Sequence, residues 1–279
     1  MRVEQIGEGD PEVAIVGGIH GDEPCGVEAI ERLLAEPPGG DDPVQLIVAN
    51  ERAIEEAVRY TERDLNRSFP GDPESDAYEE RLAAEITEAV SGRLTLALHS
   101  TQSSAVPFMV VDRIDDLTRV LAHALSVHAI VDTSQFIDGR LFASTRTIEV
   151  ECGLQGSAGA AEAAERLSRE YIEATATLAE IHSQVDRSEA ASKLADYEGE
   201  LDAASGSIPA FRLVHQIEKA PGETYDVTAE NFEEVPAATP FAAIDGDPIV
   251  AEEAFYPVLL SARGYETVFG YAAELVEYV

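Results

Sequence analysis

The chain has 279 residues, which suits one large domain or a domain of about 200 residues with a smaller appendage. Acidic residues outnumber basic ones by 54 to 19, so the formal net charge is -35. No apolar run in the sequence approaches the roughly 20 residues of a membrane-spanning helix, and no basic stripe is present to neutralise phosphates. These features exclude a membrane-spanning protein and a nucleic-acid-binding protein.

The excess of acidic residues predicts how the protein responds to salt. Only two of the basic residues are lysines, Lys193 and Lys219. Self-repulsion of this size destabilises a compact chain, and salt screens it because the Debye length shrinks to about 3 Å at 1 M. The N-terminus carries no basic leader followed by an apolar stretch. We therefore expect a cytoplasmic protein from a halophile.

Short β-branched runs alternate with helical patterns over the first two thirds of the chain. The runs that predict strands are 13–16, 45–50, 94–100, 108–111 and 147–151, and the patterns that predict helices are 24–36, 77–91, 114–126 and 157–184. This alternation is typical of an α/β layer structure. His20, Asn50, His99 and Glu151 each lie at or just beyond the carboxyl end of a predicted strand, so parallel neighbouring strands would bring them together.

The composition of the chain changes in its last third. Residues 191–207 are acidic, small and poor in large apolar groups, which predicts a linker. Residues 208–279 contain short β-branched and aromatic runs broken by Pro and Gly, which predicts a small β-rich domain. We therefore expect a main domain at 1–190, the acidic linker, and a C-terminal domain.

The segment VAIVGGIHGDEPCG runs from a strand through a glycine turn to the start of a helix. His20 and Glu23 are three residues apart in this turn, so both side chains can face one ion. Catalytic zinc typically takes three protein ligands of N and O type and leaves a fourth position open. His99 is the best placed third ligand, because it follows a buried-looking strand. The pair alone is weak evidence, and the motifs further along the chain strengthen it.

The segment RYTERDLNRSFPG contains Arg59, Asn66 and Arg67 in a turn-rich stretch. Arginine forks bind carboxylates in a bidentate manner, and an Asn-Arg pair suits a planar anion. The alternative interpretation is that these arginines pair with the many acidic residues nearby.

The segment TIEVECGLQG places Glu149 and Glu151 on one face of a strand through the period of two. A carboxylate close to an activated water can act as a general base. The other interpretation is that the two acids lie on a solvated strand edge.

Together these three segments resemble the succinylglutamate desuccinylase and aspartoacylase family, a branch of the zinc carboxypeptidase-like hydrolases. The resemblance covers about residues 13–156 and extends weakly to the C-terminus. It implies an α/β fold, a mixed-sheet α/β/α sandwich of zinc carboxypeptidase type, followed by the small C-terminal β-rich domain. It also implies one zinc ion per chain (Zn2+), bound by His20, Glu23 and His99.

The resemblance assigns roles outside the zinc ligands as well. Arg59 would polarise the scissile carbonyl, and Asn66 and Arg67 would hold the substrate carboxylate. The family's E-x-G-x-Q pattern falls on Glu151 and selects it as the general base. A threonine two places before the catalytic acid, also common in the family, selects Glu149 instead. We prefer Glu151.

Other matches to the family are thinner. YPVLLSARGY resembles its C-terminal stretch, in which a tyrosine reaches the substrate, and the spacing selects Tyr265. Where the family usually has an aspartate two residues before the third ligand, this chain has Ala97, so the partner of His99 must differ. A substrate arginine expected before the catalytic glutamate has two candidates, Arg140 and Arg146.

The expected function is hydrolysis of the amide bond of an N-acyl amino acid, with zinc-activated water attacking and a glutamate taking its proton. The partner is then a small-molecule substrate, while its acyl group, its amino acid and the oligomeric state of the protein stay open. Two alternatives use the same residues: a metallocarboxypeptidase acting on short peptides, and a non-catalytic zinc- or ligand-binding protein. The candidate base in TIEVECG argues against the second alternative.

Overall fold

A computed structural model describes residues 1–40, 42–183 and 187–279, without the side chains of 187–191 and 202–205. The strands are β1 (Arg2–Ile6), β2 (Val13–Gly17), β3 (Val44–Val48), β4 (Leu94–Thr101), β5 (Phe108–Val111), β6 (Ile130–Asp132), β7 (Thr147–Leu154), β8 (Pro209–Glu218), β9 (Tyr225–Val227), β10 (Pro240–Ile244), β11 (Asp247–Val250), β12 (Tyr256–Val258) and β13 (Val268–Tyr278). The α-helices are α1 (Cys25–Ala35), α2 (Glu51–Glu56), α3 (Tyr78–Ala89), α4 (Asp116–Ala124), α5 (Ala158–His182) and α6 (Arg187–Ser205). Short 3-10 helices lie at Leu65–Arg67 and Leu141–Ala143.

Ten strands form one mixed sheet in the order β1-β3-β2-β4-β7-β5-β6-β8-β13-β12. Strands β3, β2, β4 and β7 are parallel neighbours, which is the arrangement that the prediction required, whereas β5 runs antiparallel to β7. In the register of β4 and β7, His99 lies opposite Glu151 and Ala97 lies opposite Glu149. The carboxyl ends of the four parallel strands therefore meet at one edge of the sheet, where ligands collect in α/β folds.

Helices cover both faces of this sheet. The period of two along β2 sends Ile15 into a core cluster with side chains of α1, α4 and α5. The same period sends Ala14 and Val16 into a second cluster with Leu82 and Ile86 of α3. The architecture is thus the expected α/β/α sandwich, and the four predicted helices begin and end within two residues of their expected bounds. In the described ranges, no helix is both long and apolar enough to cross a membrane.

The acidic segment that the sequence predicts as a linker is helical where it is described. It belongs to α6, and three of its apolar side chains pack against the main core cluster: Leu194, Tyr197 and Leu201. These residues have helical spacing, but acidic and small residues separate them, so the sequence shows only a sparse apolar stripe. The side chains at 191 and 202–205 lie outside the described residues. A packed helix therefore replaces the expected irregular segment.

The strands expected beyond residue 208 are present, and several of them extend the large sheet. Strand β8 pairs with β6, and β13 and β12 follow it at that edge. In the described part of the chain, β9, β10 and β11 form a separate three-stranded sheet, packed around Phe241 and Phe269. The division into two domains stays a prediction, whereas the sheet is continuous across the predicted boundary.

Candidate metal centre and active site

The turn between β2 and α1 carries the first two candidate ligands. His20 and Glu23 are 3% and 5% exposed. The turn passes so close to α2 that a Cβ atom added at Gly21 would lie 2.1 Å from the carbonyl carbon of Ala53. Gly18 has a φ of 70°, a conformation that L side chains rarely adopt. The glycines of GGIHGDE are thus needed for the backbone path that buries His20 and Glu23 side by side.

His99, near the carboxyl end of β4, completes the predicted triad. Its Nδ1 atom lies 3.0 Å from Oε2 of Glu23, and Nδ1 of His20 lies 2.8 Å from Oε1 of Glu23. One ligand atom from each of the three residues lies within 4.8 Å of the others. Two imidazole nitrogens and a carboxylate oxygen form the ligand set of several open catalytic zinc sites. The chain therefore brings together a cluster that can hold a metal ion.

The electrostatics of this cluster favour a cation. Burial acts to raise the pKa of Glu23, but His20 and His99 beside it hold that pKa well below its usual range. Burial acts to lower the pKa of His99, but the Glu23 carboxylate raises it to about 9. The carboxylate therefore stays ionised and attracts positive charge, which either a proton or a metal ion can supply. Because a metal binds neutral imidazole, it takes the place of the proton.

The Nε2 atoms of His20 and His99, which are not the atoms that contact Glu23, have different surroundings. Nε2 of His20 lies 3.1 Å from Oδ1 of Asp64, and a carboxylate in this position commonly orients a metal-ligating imidazole. Nε2 of His99 is buried and has no hydrogen-bond partner among the described residues. This difference agrees with Ala97 standing where an aspartate was expected. Asp64 is a site residue that the sequence analysis missed, although it lies within the DLNR stretch.

Arg59 lies between the metal-ligand cluster and Asp64. Its Nη1 atom is 3.3 Å from Oε1 of Glu23, and its Nε atom donates to Oδ2 of Asp64 at 3.1 Å. Burial opposes the charge of the guanidinium, but Asp64 and Glu23 raise the pKa of Arg59 above its usual range. Arg59 is therefore a fixed cation beside the cluster, where it can stabilise a negatively charged oxygen.

The short helix Leu65–Arg67 presents the predicted carboxylate clamp. Asp64 caps it, because Oδ1 of Asp64 accepts from the backbone N–H of Asn66 at 2.9 Å. Nη1 of Arg67 donates to the carbonyl oxygen of Asn66 at 2.6 Å. Arg67 forms no ion pair within the ranges that the structure describes. Its charge is thus available for an anion, in contrast to that of Arg59.

Of the two arginines that the sequence left open, the structure places Arg140 in the site. Arg140 is 6% exposed, and its Nη1 atom lies 3.3 Å from Oε2 of Glu149. Oε1 of Glu149 accepts from Nδ2 of Asn66 at 3.0 Å, and Oδ1 of Asn66 accepts from the backbone N–H of Leu141 at 3.2 Å. Arg146 is exposed and lines a different cavity, at the amino ends of the strands. The amide of Asn66 is therefore largely engaged within the protein.

Glu151 has a free carboxylate oxygen. The residue lies opposite His99 in the sheet, and its Oε2 atom is buried without a hydrogen-bond partner among the described residues. Burial, and next the charge of Glu23, raise the pKa of Glu151 to about 7. A carboxylate with a pKa near neutrality can both accept and return a proton. The assignment of the general base stays a prediction, and this free oxygen supports Glu151.

The segment between β12 and β13 closes the site from the C-terminal part of the chain. Tyr265 lines the same cavity as the metal-ligand cluster, together with Leu259, Ser261 and Gly264. Burial raises the pKa of Tyr265 above its usual range, and Tyr271 adds to this effect. The phenol therefore stays neutral and can donate a hydrogen bond.

All eight site residues predicted from the sequence line one cavity of about 70 Å³: His20, Glu23, Arg59, Asn66, Arg67, His99, Glu151 and Tyr265. An adjoining groove of about 610 Å³ shares Gln102 and Ser261 with it. Ser261 lies within the YPVLLSARGY segment, where only Tyr265 was selected, and Gln102 belongs to none of the motifs. A substrate larger than the cavity can thus extend into the groove.

The sandwich fold and the buried His-Glu-His cluster define an α/β protein with a metal-ligand set at the carboxyl edge of its parallel strands. The family model for the succinylglutamate desuccinylase/aspartoacylase catalytic domain matches residues 9–166, which is more than half of the chain. The chain therefore belongs to the succinylglutamate desuccinylase/aspartoacylase family.

Individual relatives agree with this assignment. The N-acyl-aromatic-L-amino acid amidohydrolase (carboxylate-forming) of Xenopus tropicalis is 31% identical over 133 residues, which are 43% of this chain and 43% of the relative. The N-alpha-acetyl-L-2,4-diaminobutyric acid deacetylase of Halomonas elongata is 28% identical over 171 residues, 52% of this chain and 49% of the relative. The chain thus spans about half the length, or less, of these curated relatives, which are enzymes acting on N-acyl amino acids.

A solved structure extends the similarity of the fold to nearly the whole chain. The crystal structure of a succinylglutamate desuccinylase/aspartoacylase from Rhodobacter sphaeroides matches with a TM-score of 0.72 and 16% identity, and the match covers 98% of this chain and 89% of that one. At this level of identity the comparison shows a shared fold. The shared fold therefore extends beyond residues 9–166, which the family model matches.

Proposed function

We propose that this protein is a zinc-dependent amidohydrolase that splits an N-acyl amino acid into a carboxylic acid and an amino acid. The observation that carries the proposal is the buried Oε2 of Glu151 beside the His-Glu-His cluster, an atom with no hydrogen-bond partner in the described part of the chain. Relatives named for the cleavage of N-acyl-aromatic amino acids and of an N-acetylated diamino acid support the class of substrate.

His20, Glu23 and His99 would hold the zinc ion. The fit rests on the N and O donors of these buried side chains and on Asp64 behind His20, an arrangement that suits an open catalytic site. Zinc, when bound, lowers the pKa of a water molecule and polarises a carbonyl oxygen.

Glu151 handles the proton in this proposal. It takes a proton from the attacking water and passes that proton to the departing amine nitrogen. A C–O bond forms at the acyl carbon and the C–N bond breaks, so an acid and an amine leave the site. Glu149 is less suited to this role, because Asn66 and Arg140 engage its two oxygens.

The cationic and phenolic side chains orient the substrate. Arg59, held by Asp64, donates to the carbonyl oxygen as negative charge accumulates on it. Arg67, which is free of ion pairs in the described ranges, holds the carboxylate of the amino acid. Tyr265 covers the bound substrate from the C-terminal segment.

The experiment compares zinc-loaded and chelator-treated protein in concentrated potassium chloride, with succinyl and acetyl amino acids and free dipeptides as substrates. We expect about one zinc ion per chain, and turnover of N-acyl amino acids that chelation abolishes and zinc restores. His99→Ala should lose the zinc, whereas His215→Ala, at an exposed histidine on β8, should retain it.

Other outcomes would favour the alternatives. Faster turnover of dipeptides than of N-acyl amino acids would favour a metallocarboxypeptidase. Zinc bound in a folded protein without turnover of any substrate would favour a non-catalytic ligand-binding protein.

A further inference from the structure

Glu149 is a buried acid that the proposed reaction does not use. It is 3% exposed and lies on β7, two residues before Glu151. Its Oε1 accepts from Nδ2 of Asn66 at 3.0 Å, and its Oε2 lies 3.3 Å from Nη1 of Arg140. Asn66 and Arg140 thus hold both oxygens of this buried carboxylate in the wall of the cavity.

The position of this charge follows from the register of the sheet. Glu149 lies opposite Ala97 of β4, just as Glu151 lies opposite His99. Because the side chain of Ala97 is small, it leaves space for the side chain of Glu149 on the neighbouring strand. The aspartate that the family usually has at this position of β4 is replaced by Ala97. Strand β7 supplies a carboxylate in the adjacent position, where it contacts Arg140 instead of a histidine.

This pairing sets how much negative charge the cavity can accept from a substrate. Two guanidinium groups, those of Arg67 and Arg140, line the cavity. Glu149 neutralises Arg140, whereas Arg67 has no ion pair within the described residues. One positive charge therefore remains for one substrate carboxylate, and a second carboxylate near Arg140 would meet the negative charge of Glu149.

Arg140 still has a donor to offer. Its Nε atom is buried and has no hydrogen-bond partner among the described residues. A buried N–H without an acceptor costs free energy, which an oxygen of the substrate can recover. Because the charge of Arg140 is already balanced, an uncharged oxygen, such as that of an amide or a hydroxyl group, suits this donor.

We propose that Glu149 is a specificity-determining residue that restricts the substrate to N-acyl amino acids with a single carboxylate. Arg67 holds that carboxylate, and Arg140 donates to an uncharged oxygen of the substrate. This inference rests on the proposed amidohydrolase function, and it names the class of substrate for that site.

The test uses pairs of substrates that differ in one charge and little in shape: N-acetylglutamine with N-acetylglutamate, and N-acetylasparagine with N-acetylaspartate. For the wild-type protein with zinc, we expect kcat/KM to be at least about tenfold higher for the amide member of each pair, which is about 1.4 kcal/mol. Equal values, or a preference for the carboxylate member, would overturn the proposal. This comparison needs no variant to fold.

Variants show whether Glu149 causes the preference. Glu149→Gln keeps the shape of the side chain and removes its charge. The kcat/KM for the amide member divided by that for the carboxylate member should therefore fall at least about tenfold. Glu149→Asp should keep the wild-type ratio. Circular dichroism checks that both variants are folded. An unchanged ratio in folded Glu149→Gln would contradict the role of Glu149.

A binding measurement separates this inference from the proposed reaction. Calorimetric titration of wild-type protein with glutamine and with glutamate tests the charge preference without turnover. If no N-acyl amino acid is hydrolysed, the proposed function fails, yet tighter binding of glutamine than of glutamate would still support the role of Glu149. Tighter binding of glutamate, or no binding of either amino acid in a protein without turnover, would overturn it.

Discussion

The two edges of the central sheet carry cavities of opposite character. At the carboxyl edge, a cavity of about 70 Å³ is lined by buried ionisable side chains, among them Glu23 and Arg140. At the amino edge, a cavity of about 940 Å³ lies against the first residues of β2, β3 and β4, and its charged lining residues include exposed Asp116 and Arg146. The larger of these two cavities is therefore not the one that contains the metal-ligand cluster.

Buried charge, rather than cavity volume, therefore marks the edge where chemistry is expected. Exposed charges such as Asp116 and Arg146 are solvated by water and need no partner. Buried charges cost free energy unless other groups compensate them, so a fold keeps a cluster of them where they serve a purpose. The parallel strands end at the carboxyl edge, and the loops that follow them supply the side chains.

The largest expected effect is the loss of turnover in Glu151→Gln. Removing a general base typically lowers the rate about 10²- to 10⁴-fold, and zinc should stay bound because Glu151 is not a ligand. Measurements of kcat and of zinc content check this. Glu149→Gln should be the milder change on a singly charged substrate.

Arg146→Gln serves as the matched control at the amino edge, and its kcat should equal that of the wild-type protein. If Arg146→Gln slowed turnover as much as Glu151→Gln does, the contrast between the two edges would fail.

The two arginines of the RYTERDLNR stretch should separate turnover from capture. Arg59→Ala should lower kcat about 10²- to 10³-fold, because it removes a donor to the developing oxyanion. Arg67→Ala should chiefly raise KM, because it removes the cation that holds the carboxylate. Steady-state kinetics of both variants measure this split. Unchanged kinetics in both would mean that the stretch is structural.

The zinc-free protein should lose stability as the pH rises from about 6.5 to about 9. Burial opposes the charge of His99, but Glu23 raises its pKa from 6.5 in the unfolded chain to about 9 in the folded one. The folded chain thus holds a proton more tightly, and the resulting stabilisation, complete below the lower value, is lost as the pH passes the higher one.

Zinc replaces that proton, so the difference in Tm between zinc-loaded and zinc-free protein should grow over the same pH window. Thermal melts of both forms across the window measure this difference. A difference in Tm that stays constant with pH would argue against a metal at His99.

Salt should have the smallest effect on the site itself, because it acts on charges that are spread over the whole surface. A net charge of -35 leaves many repulsions that salt screens, so Tm should rise steeply from low to molar potassium chloride. The kcat of protein that stays folded should change little over this range of salt concentration, because the charges at the carboxyl edge are buried. A Tm independent of salt would contradict the halophile interpretation.

Much of the fold was predictable because local patterns encode it. The four predicted helices and the parallel arrangement of β2, β3, β4 and β7 follow from periodicity and from the alternation of elements. Helix α6 was missed because its three packed apolar residues are too sparse to form an evident stripe. The continuation of the large sheet by β8 was missed because strand pairing joins residues that are far apart in sequence.

Motifs in the sequence were sufficient to name most residues of the candidate site. The turn that buries His20 and Glu23 depends on glycines within the same short segment. The local sequence therefore encodes the geometry of this turn. Tertiary structure alone selected Arg140 over Arg146 and aligned Asp64 with His20. It also placed Glu149 against Arg140. These contacts depend on sheet register and on loops that meet only in the folded chain, where the burial of charge decides which side chains must pair.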